Sequence, residues 1–365
     1  MKEGWIYKKL NEVCEKGSSS ITINKLGDCN GDYPLFGASG LVKYVDFYHQ
    51  DKPYIGIVKD GAGVGRVNIY PAYSSLVGTM QYIFAKEDCL LDYLKYFLVK
   101  LDLSHCVSGA TIPHIYFKDY GKEKIPVPPI ETQEAIVSEL NQLKELIGQK
   151  ESQLNDFDNL ERSLFVEMFG DPIENNKGWA SMKLGDLTEV GTGSTPDRNN
   201  ESYYIGNNPW IKSTEVCNCA IFDVQEHISD EALKETNCTL YPVNTILMAM
   251  YGQGKTRGQV AIMKLVACTN QAVAAILPSK NLEPDYLYQH LRLMYDNIRS
   301  MARGGNQANL NLSLVKSIKV MVPPNNMQQQ FCERVNAIEQ QKHQVNSTLR
   351  DLETLLASRL QYWFT

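Results

Sequence analysis

The chain of 365 residues is written twice, and that repeat limits its fold more than any local pattern does. Trp5 with Lys9-Leu10 recurs as Trp179 with Lys183-Leu184. Gly61-Ala-Gly63 recurs as Gly252-Gln-Gly254, Asp92-Tyr93-Leu94 as Asp285-Tyr286-Leu287, and Pro128-Pro129 as Pro323-Pro324. The offsets between partners are 174, 191, 193 and 195, so the second copy carries short early insertions and none late.

After each Pro-Pro pair, stripe positions alternate by four and three. The first copy places Ile136, Leu140, Leu143, Ile147, Lys150, Leu154, Phe157, Glu161, Leu164 and Met168 on the stripe. The second places Phe331, Val335, Ile338, Lys342, Val345, Leu349, Leu352, Leu356, Arg359 and Trp363 there. A 4-3 alternation averages 3.5 residues, the period of a coiled-coil seam. Proline is absent inside both segments, and Gly170 with Pro172 closes the first in the usual stop arrangement. Each copy therefore ends in one helix of roughly 37 residues, about 55 Å long at about 1.5 Å per residue. Neither helix can hide a narrow apolar stripe alone, so the two are expected to pair. An antiparallel pair would hold two similar heads at opposite ends of a rod, related by a pseudo-twofold axis.

The expected fold class is α+β: two similar mixed α/β domains separated by two long antiparallel helices forming a coiled coil. The expected boundaries are 1–129 for the first head, 130–170 for the first helix, 171–325 for the second head and 326–365 for the second helix. In each head an apolar strand, Tyr54–Val58 or Thr245–Ala249, runs into a glycine loop, Asp60–Gly65 or Tyr251–Gly258. A second strand follows, Arg66–Ile69 or Gln259–Met263, since glycine supplies the positive φ that a hairpin-like turn requires. Helical patterns come later, near Asp92–Leu101 and Asp285–Asn297, each followed by a polar stretch, Ser108–Tyr116 or Arg303–Asn311.

Catalytic motifs are tested and fail. Gly254-Lys255-Thr256 resembles the end of a phosphate loop, but the glycine required five positions earlier is Ala249. Asn208-Pro209-Trp210 lacks the second proline of an amino-methyltransferase motif, and no Glu-x-Lys or Asp-x-Lys of a metal-dependent nuclease occurs. His49, His105, His114, His227, His290 and His343 show no ligand spacing. Nine cysteines, without a C-x-x-C and with Cys217-x-Cys219 as the one close pair, read as reduced thiols. No run approaches the roughly 20 apolar residues of a membrane span, and the N-terminus lacks a signal-peptide core, which places the chain in the cytoplasm without a membrane partner.

What remains is a pair of binding heads on a spacer, suited to two separated features of a long ligand such as double-stranded DNA. The net charge of −6 argues against coating nucleic acid by bulk positive charge. The acidic excess lies in 131–170, with 3 Lys+Arg against 9 Asp+Glu, and leaves both heads near neutral. DNA-contact candidates on the polar loops are Lys59, Arg66, Thr111, His114 and Tyr116 in the first copy, and Lys255, Arg257, Arg303, Asn306, Gln307 and Asn309 in the second. The cations suit phosphate or guanine, and the amides suit adenine edges.

In order and twice over, these features resemble the specificity (S) subunit of type I restriction-modification systems. The resemblance also covers Pro-Val-Pro-Pro-Ile130-Glu131-Thr132-Gln133-Glu134 at the entry of the first helix and Leu164-Phe165-Val-Glu-Met-Phe-Gly-Asp171 at its exit. The second entry, Pro323-Pro-Asn-Asn-Met-Gln-Gln-Gln330, keeps mainly the prolines and Gln328. The resemblance implies two target-recognition domains that each read one half of a split DNA site, with no catalysis or cofactor of their own. It implies methyltransferase (modification) subunits that bring S-adenosylmethionine, and a restriction (endonuclease and translocase) subunit that brings ATP and Mg. Partner proteins would grip the helices, in keeping with the acidic 131–170 segment. Three alternatives stand beside this: the S subunit of a related system with fused nuclease and methyltransferase, a two-headed protein-binding adaptor without salt-dependent DNA affinity, and an enzyme using an unrecognised site.

Overall fold

The structure is a computed structural model and describes residues 4–27, 29–109, 111–252, 254–302 and 309–365. The chain divides into two compact units, one of Met1–Ser152 with Asn346–Thr365 and one of Gln153–Val345. Each unit therefore owns one head and a part of both long helices, which span Ile130–Phe169 and Asn325–Phe364.

In the first unit a four-stranded antiparallel sheet has the order Cys14–Ser18, Met80–Ala85, Tyr54–Val58, Val67–Tyr70. Tyr54–Val58 lies inside the sheet and is buried at every position, as a continuous apolar run between two neighbours must be. A smaller sheet orders Gly40–Val45, Tyr33–Gly37 and Ser75–Leu76, the last pair parallel. The first and last strands of the head, Ile6–Lys9 and Lys124–Val127, pair with each other. The helix Leu91–Leu101 turns Tyr93, Leu94 and Phe97 into a core shared with Ile55, Ile57 and Ile83.

The second unit repeats this topology. Val190–Thr192, Val273–Ile276, Ile246–Ala249 and Val260–Met263 form the same antiparallel order, and a fifth strand, Cys219–Ile221, is added in parallel at the edge. The smaller sheet orders Glu226–Ile228, Asn208–Ile211 and Cys268–Thr269, again with one antiparallel and one parallel pair. The end strands Ser181–Lys183 and Lys319–Met321 pair likewise. The helical pattern after Asp285 becomes two helices, Pro284–Leu293 and Tyr295–Ser300, parted at Met294.

Both long helices run 40 residues, about 60 Å, and every stripe position named above is buried or half-buried. They are antiparallel in each unit. In the first, Glu139 accepts hydrogen bonds from the guanidinium of Arg359 and from Trp363 Nε1 (2.9 Å), while Ile136 and Leu140 share a core with Phe364. In the second, Phe165 and Phe169 pack edge-on to Phe331. Lys342 Nζ reaches Asp158 (2.9 Å), Glu161 (3.1 Å) and Glu339 (2.9 Å). Glu161 is fully buried and also accepts from Gln289 (2.8 Å) and Arg292 (3.4 Å). Burial, reinforced by Glu339, pushes its carboxyl up to about 7.

One joint is built identically in both units. Gln133, fully buried in the first turn of its helix, accepts from Leu90 N (2.8 Å) and donates to the carbonyls of Asp88 and Pro128 (2.9 Å each). Gln328 accepts from Glu283 N (2.9 Å) and donates to Asn281 (3.1 Å) and Pro323 (2.9 Å). Beside them, Tyr93 Oη donates to Pro126 O (2.7 Å) and Tyr286 Oη to Met321 O (3.0 Å). Each glutamine thus uses both ends of its amide to fasten a helix to its head.

Replacing Gln133 by Ala leaves Leu90 N and two carbonyls without this partner, and such losses cost about 1–3 kcal/mol each when buried. Chemical denaturation of Gln133→Ala should show a loss of about 3 kcal/mol, and Gln328→Ala a similar one. A loss below about 0.5 kcal/mol would mean that the joint is dispensable. A second prediction concerns His290, fully buried, whose Nε2 accepts from Met321 N (3.0 Å) and whose pKa burial lowers to about 3. Its folded value lies below the unfolded one, so its contribution is complete above about pH 6.5 and is lost as the pH falls toward about 3. Glu161 acts in the opposite sense: with its folded pKa raised, it favours folding as the pH falls below about 7. The histidine effect is therefore read as a difference. Between pH 6.5 and 5, wild type should lose about 2 kcal/mol more than His290→Gln, and parallel pH profiles would exclude the effect.

Candidate nucleic-acid interface

In the first head three glycines, Gly61, Gly63 and Gly65, adopt φ of 84°, 85° and 87°, which lets the chain turn sharply after the buried strand. The turn is closed by Gly65 N to Val58 O (2.8 Å) and Val58 N to Arg66 O (3.0 Å). The polar stretch after Ser108 folds back onto it: Gly61 N donates to Pro113 O (2.9 Å), Ile115 N donates to Lys59 O (2.9 Å), and Asp60 bridges to His114. Two segments separated by some fifty positions thereby become one edge.

The edge gathers Lys59, Asp60, Arg66, Thr111, His114 and Tyr116. Thr111 and Tyr116 are exposed, His114 packs edge-on to Tyr116 at 4.8 Å, and Lys118 Nζ lies 5.1 Å from the Tyr116 ring centre. Lys59 Nζ is 3.9 Å from the Asp60 carboxylate. Arg66 turns back on its own loop, donating from Nε to Gly63 O and from one terminal nitrogen to Ala62 O (3.3 Å each). A side chain at Gly63 would occupy that guanidinium's place. Part of Arg66 thus shapes the loop. An edge with cations, a carboxylate, an imidazole and a phenol side by side is equipped for base edges more than for a run of phosphates.

The second head reproduces the backbone scheme with other side chains. Gly258 N donates to Ala249 O (2.9 Å), Ala249 N to Gln259 O (3.0 Å), and Leu310 N to Met250 O (3.1 Å), the counterpart of Ile115 N to Lys59 O. Lys255 is exposed and Arg257 half-exposed, and their loop is held from the helix Tyr295–Ser300. Tyr295 Oη donates to Lys255 O (2.6 Å), and Arg299 donates to Arg257 O (2.8 Å). Asn309 is half-buried beside Leu310, while Arg303, Asn306 and Gln307 lie outside the described residues.

Sequence reasoning missed Asp60, Lys118, Tyr295 and Arg299. Tyr295 and Arg299 stand four apart on a helix, a spacing that puts them on one face, but only the fold shows which loop they hold. Among the described residues no three His, Cys, Asp or Glu side chains are placed to hold a metal ion, and no helix is long and apolar enough to cross a membrane.

A family model described as the type I restriction modification DNA specificity domain matches residues 2–156 and 176–352. The chain is 21% identical over 367 residues to the type I restriction enzyme MjaIX specificity subunit of Methanocaldococcus jannaschii, covering 90% of this chain and 85% of that one. Against the EcoR124I/EcoR124II specificity subunit of Escherichia coli it is 24% identical over 249 residues, or 65% and 61% of the two chains. In fold it is similar to the type I restriction-modification S subunit from M. genitalium, with a TM-score of 0.61 at 16% identity over 99% of this chain and 96% of that one. A second likeness is to a chain from a structure of type I restriction-modification complex assembly and conformational transition, with a TM-score of 0.57, 17% identity, and coverage of 99% and 98%.

Proposed function

The chain belongs to the type I restriction-modification DNA specificity family, and from that premise we propose that it is the non-catalytic subunit that reads a two-part target in double-stranded DNA. Its heads would direct partner adenine methyltransferase and endonuclease subunits to that target. The observation that carries this reading is a tie made twice: Ile115 N to Lys59 O and Leu310 N to Met250 O fasten the stretch before each closing strand to the residue after each buried strand, at equivalent places in the two heads. The side chains presented differ, as reading two different half-sequences requires. Lys59, Arg66, Thr111, His114 and Tyr116 serve the first half-site. Lys255, Arg257, Arg303, Asn306, Gln307 and Asn309 serve the second. Asp60 adds an acceptor for a cytosine amino group.

S-adenosylmethionine, ATP and Mg belong, on this reading, to the partner subunits. This chain supplies address, not chemistry. The glycine loops make the address precise, because positive-φ glycines let backbone approach the groove closely and fix where Lys59 or Lys255 begins.

The test is methylation of a library of DNA sites by the chain assembled with its methyltransferase subunits. Lys59→Ala with His114→Ala should relax discrimination about 10- to 100-fold at bases of one half-site only, and Lys255→Ala with Asn309→Ala at bases of the other, as lost base contacts worth about 1–3 kcal/mol would do. Relaxation spread evenly over both halves would overturn the assignment of one half-site to each head.

A further inference from the structure

Among the described residues the second head has an element without a counterpart in the first, the edge strand Cys219–Ile221, and the turn into it carries Cys217 and Cys219, two apart in sequence. Cys217 is exposed, Cys219 is half-buried, and their sulphurs lie 3.5 Å apart. Asn218 between them sits in the left-handed region at φ 56°, so the short segment doubles back and turns both sulphurs the same way. Cys219 Sγ also donates weakly to Glu215 O (3.7 Å). Burial, reinforced by Cys217, pushes the Cys219 thiol up to about 11, so Cys217 is the sulphur open to small molecules while Cys219 waits protonated behind it.

The pair is tied to the loop that carries Lys255 and Arg257. Asn218 Oδ1 accepts from Val260 N (3.1 Å), the first residue of the strand leaving that loop, and Cys219 pairs in register with Ala261. We propose that Cys217 and Cys219 form a reversible dithiol site that reacts with low-molecular-weight disulphides and loosens the loop's anchor when oxidised. The proposal does not depend on what the loop reads.

The thiolate of Cys217 attacks one sulphur of a small disulphide such as oxidised glutathione, expelling one thiolate and leaving a mixed disulphide on Cys217. Cys219 gives its proton to solvent, attacks the Cys217 sulphur and expels the second thiolate. The protein loses two electrons and two protons, and the small disulphide leaves as two thiols. Closing the sulphurs from 3.5 Å to the bonded distance of about 2 Å turns the backbone at Asn218, whose side chain then leaves Val260 N. A ring this short is strained, which makes the bond easily reduced and hence reversible.

The full chain is treated with oxidised glutathione, free thiols are alkylated, and the peptide spanning 217–219 is read by mass spectrometry. Wild type should give an internal disulphide. Cys219→Ser, or Cys219→Ala should the first variant not fold, should instead accumulate glutathione on Cys217. Hydrogen exchange at the Val260 amide should quicken about tenfold on oxidation and return with a reductant. Two alkylated thiols in treated wild type, or a persistent glutathione adduct equal to that of the variant, would overturn the dithiol site. An internal disulphide with unchanged Val260 exchange would overturn its coupling to the loop.

Discussion

Two buried side-chain amides decide how each long helix leaves its head. Gln133 and Gln328 each lie in the first helical turn, where free backbone groups would otherwise face a dry interior, and each makes three hydrogen bonds with near-identical partners. An amide suits this place because it accepts at one end and donates twice at the other. A carboxylate could not donate to the two carbonyls, and an apolar side chain would leave all three partners unmet. Everything that depends on a fixed angle between helix and head rests on these contacts.

The helices themselves are not symmetric. Where the second unit has the charged group of Glu161, Lys342, Asp158 and Arg292, the corresponding seam positions of the first unit are Leu356 and Ile147. Polar groups inside a helix seam are costly unless they find each other, so they disfavour registers in which they do not. The first unit is held differently, by Glu139 gripping Arg359 and Trp363, with Trp363 stacked on Trp5 at 6.1 Å. Each unit thus has its own lock between its two helix portions, and a helix slipped by one heptad would satisfy neither.

Much of this was legible in the sequence because repetition and period are properties of order alone. The 3.5-residue alternation marked the buried stripe position by position, and the Trp, Gly-x-Gly, Asp-Tyr-Leu and Pro-Pro pairs marked equivalent places in the two sheets. Gln328 stood out as one of the few residues kept at the second helix entry, but its partners, Glu283 N and Asn281 O, lie some forty-five positions away and no pattern names them. The candidate edge was half legible. Glycine spacing located the loops, whereas the return of Arg66 onto Ala62 and Gly63, and the support of Lys255 and Arg257 by Tyr295 and Arg299, depend on side-chain directions that periodicity does not carry. The edge strand Cys219–Ile221 was missed because three residues give too little alternation to read.

In both heads the opening strand pairs with the closing one, Ile6–Lys9 with Lys124–Val127 and Ser181–Lys183 with Lys319–Met321. The polypeptide therefore comes in and goes out through the same doorway. Whatever grows, shrinks or is exchanged between those two strands leaves the doorway where it was, and the extra strand of the second copy is one such change already accommodated. Variation in what is recognised is thereby uncoupled, by plain chain geometry, from the frame that presents it.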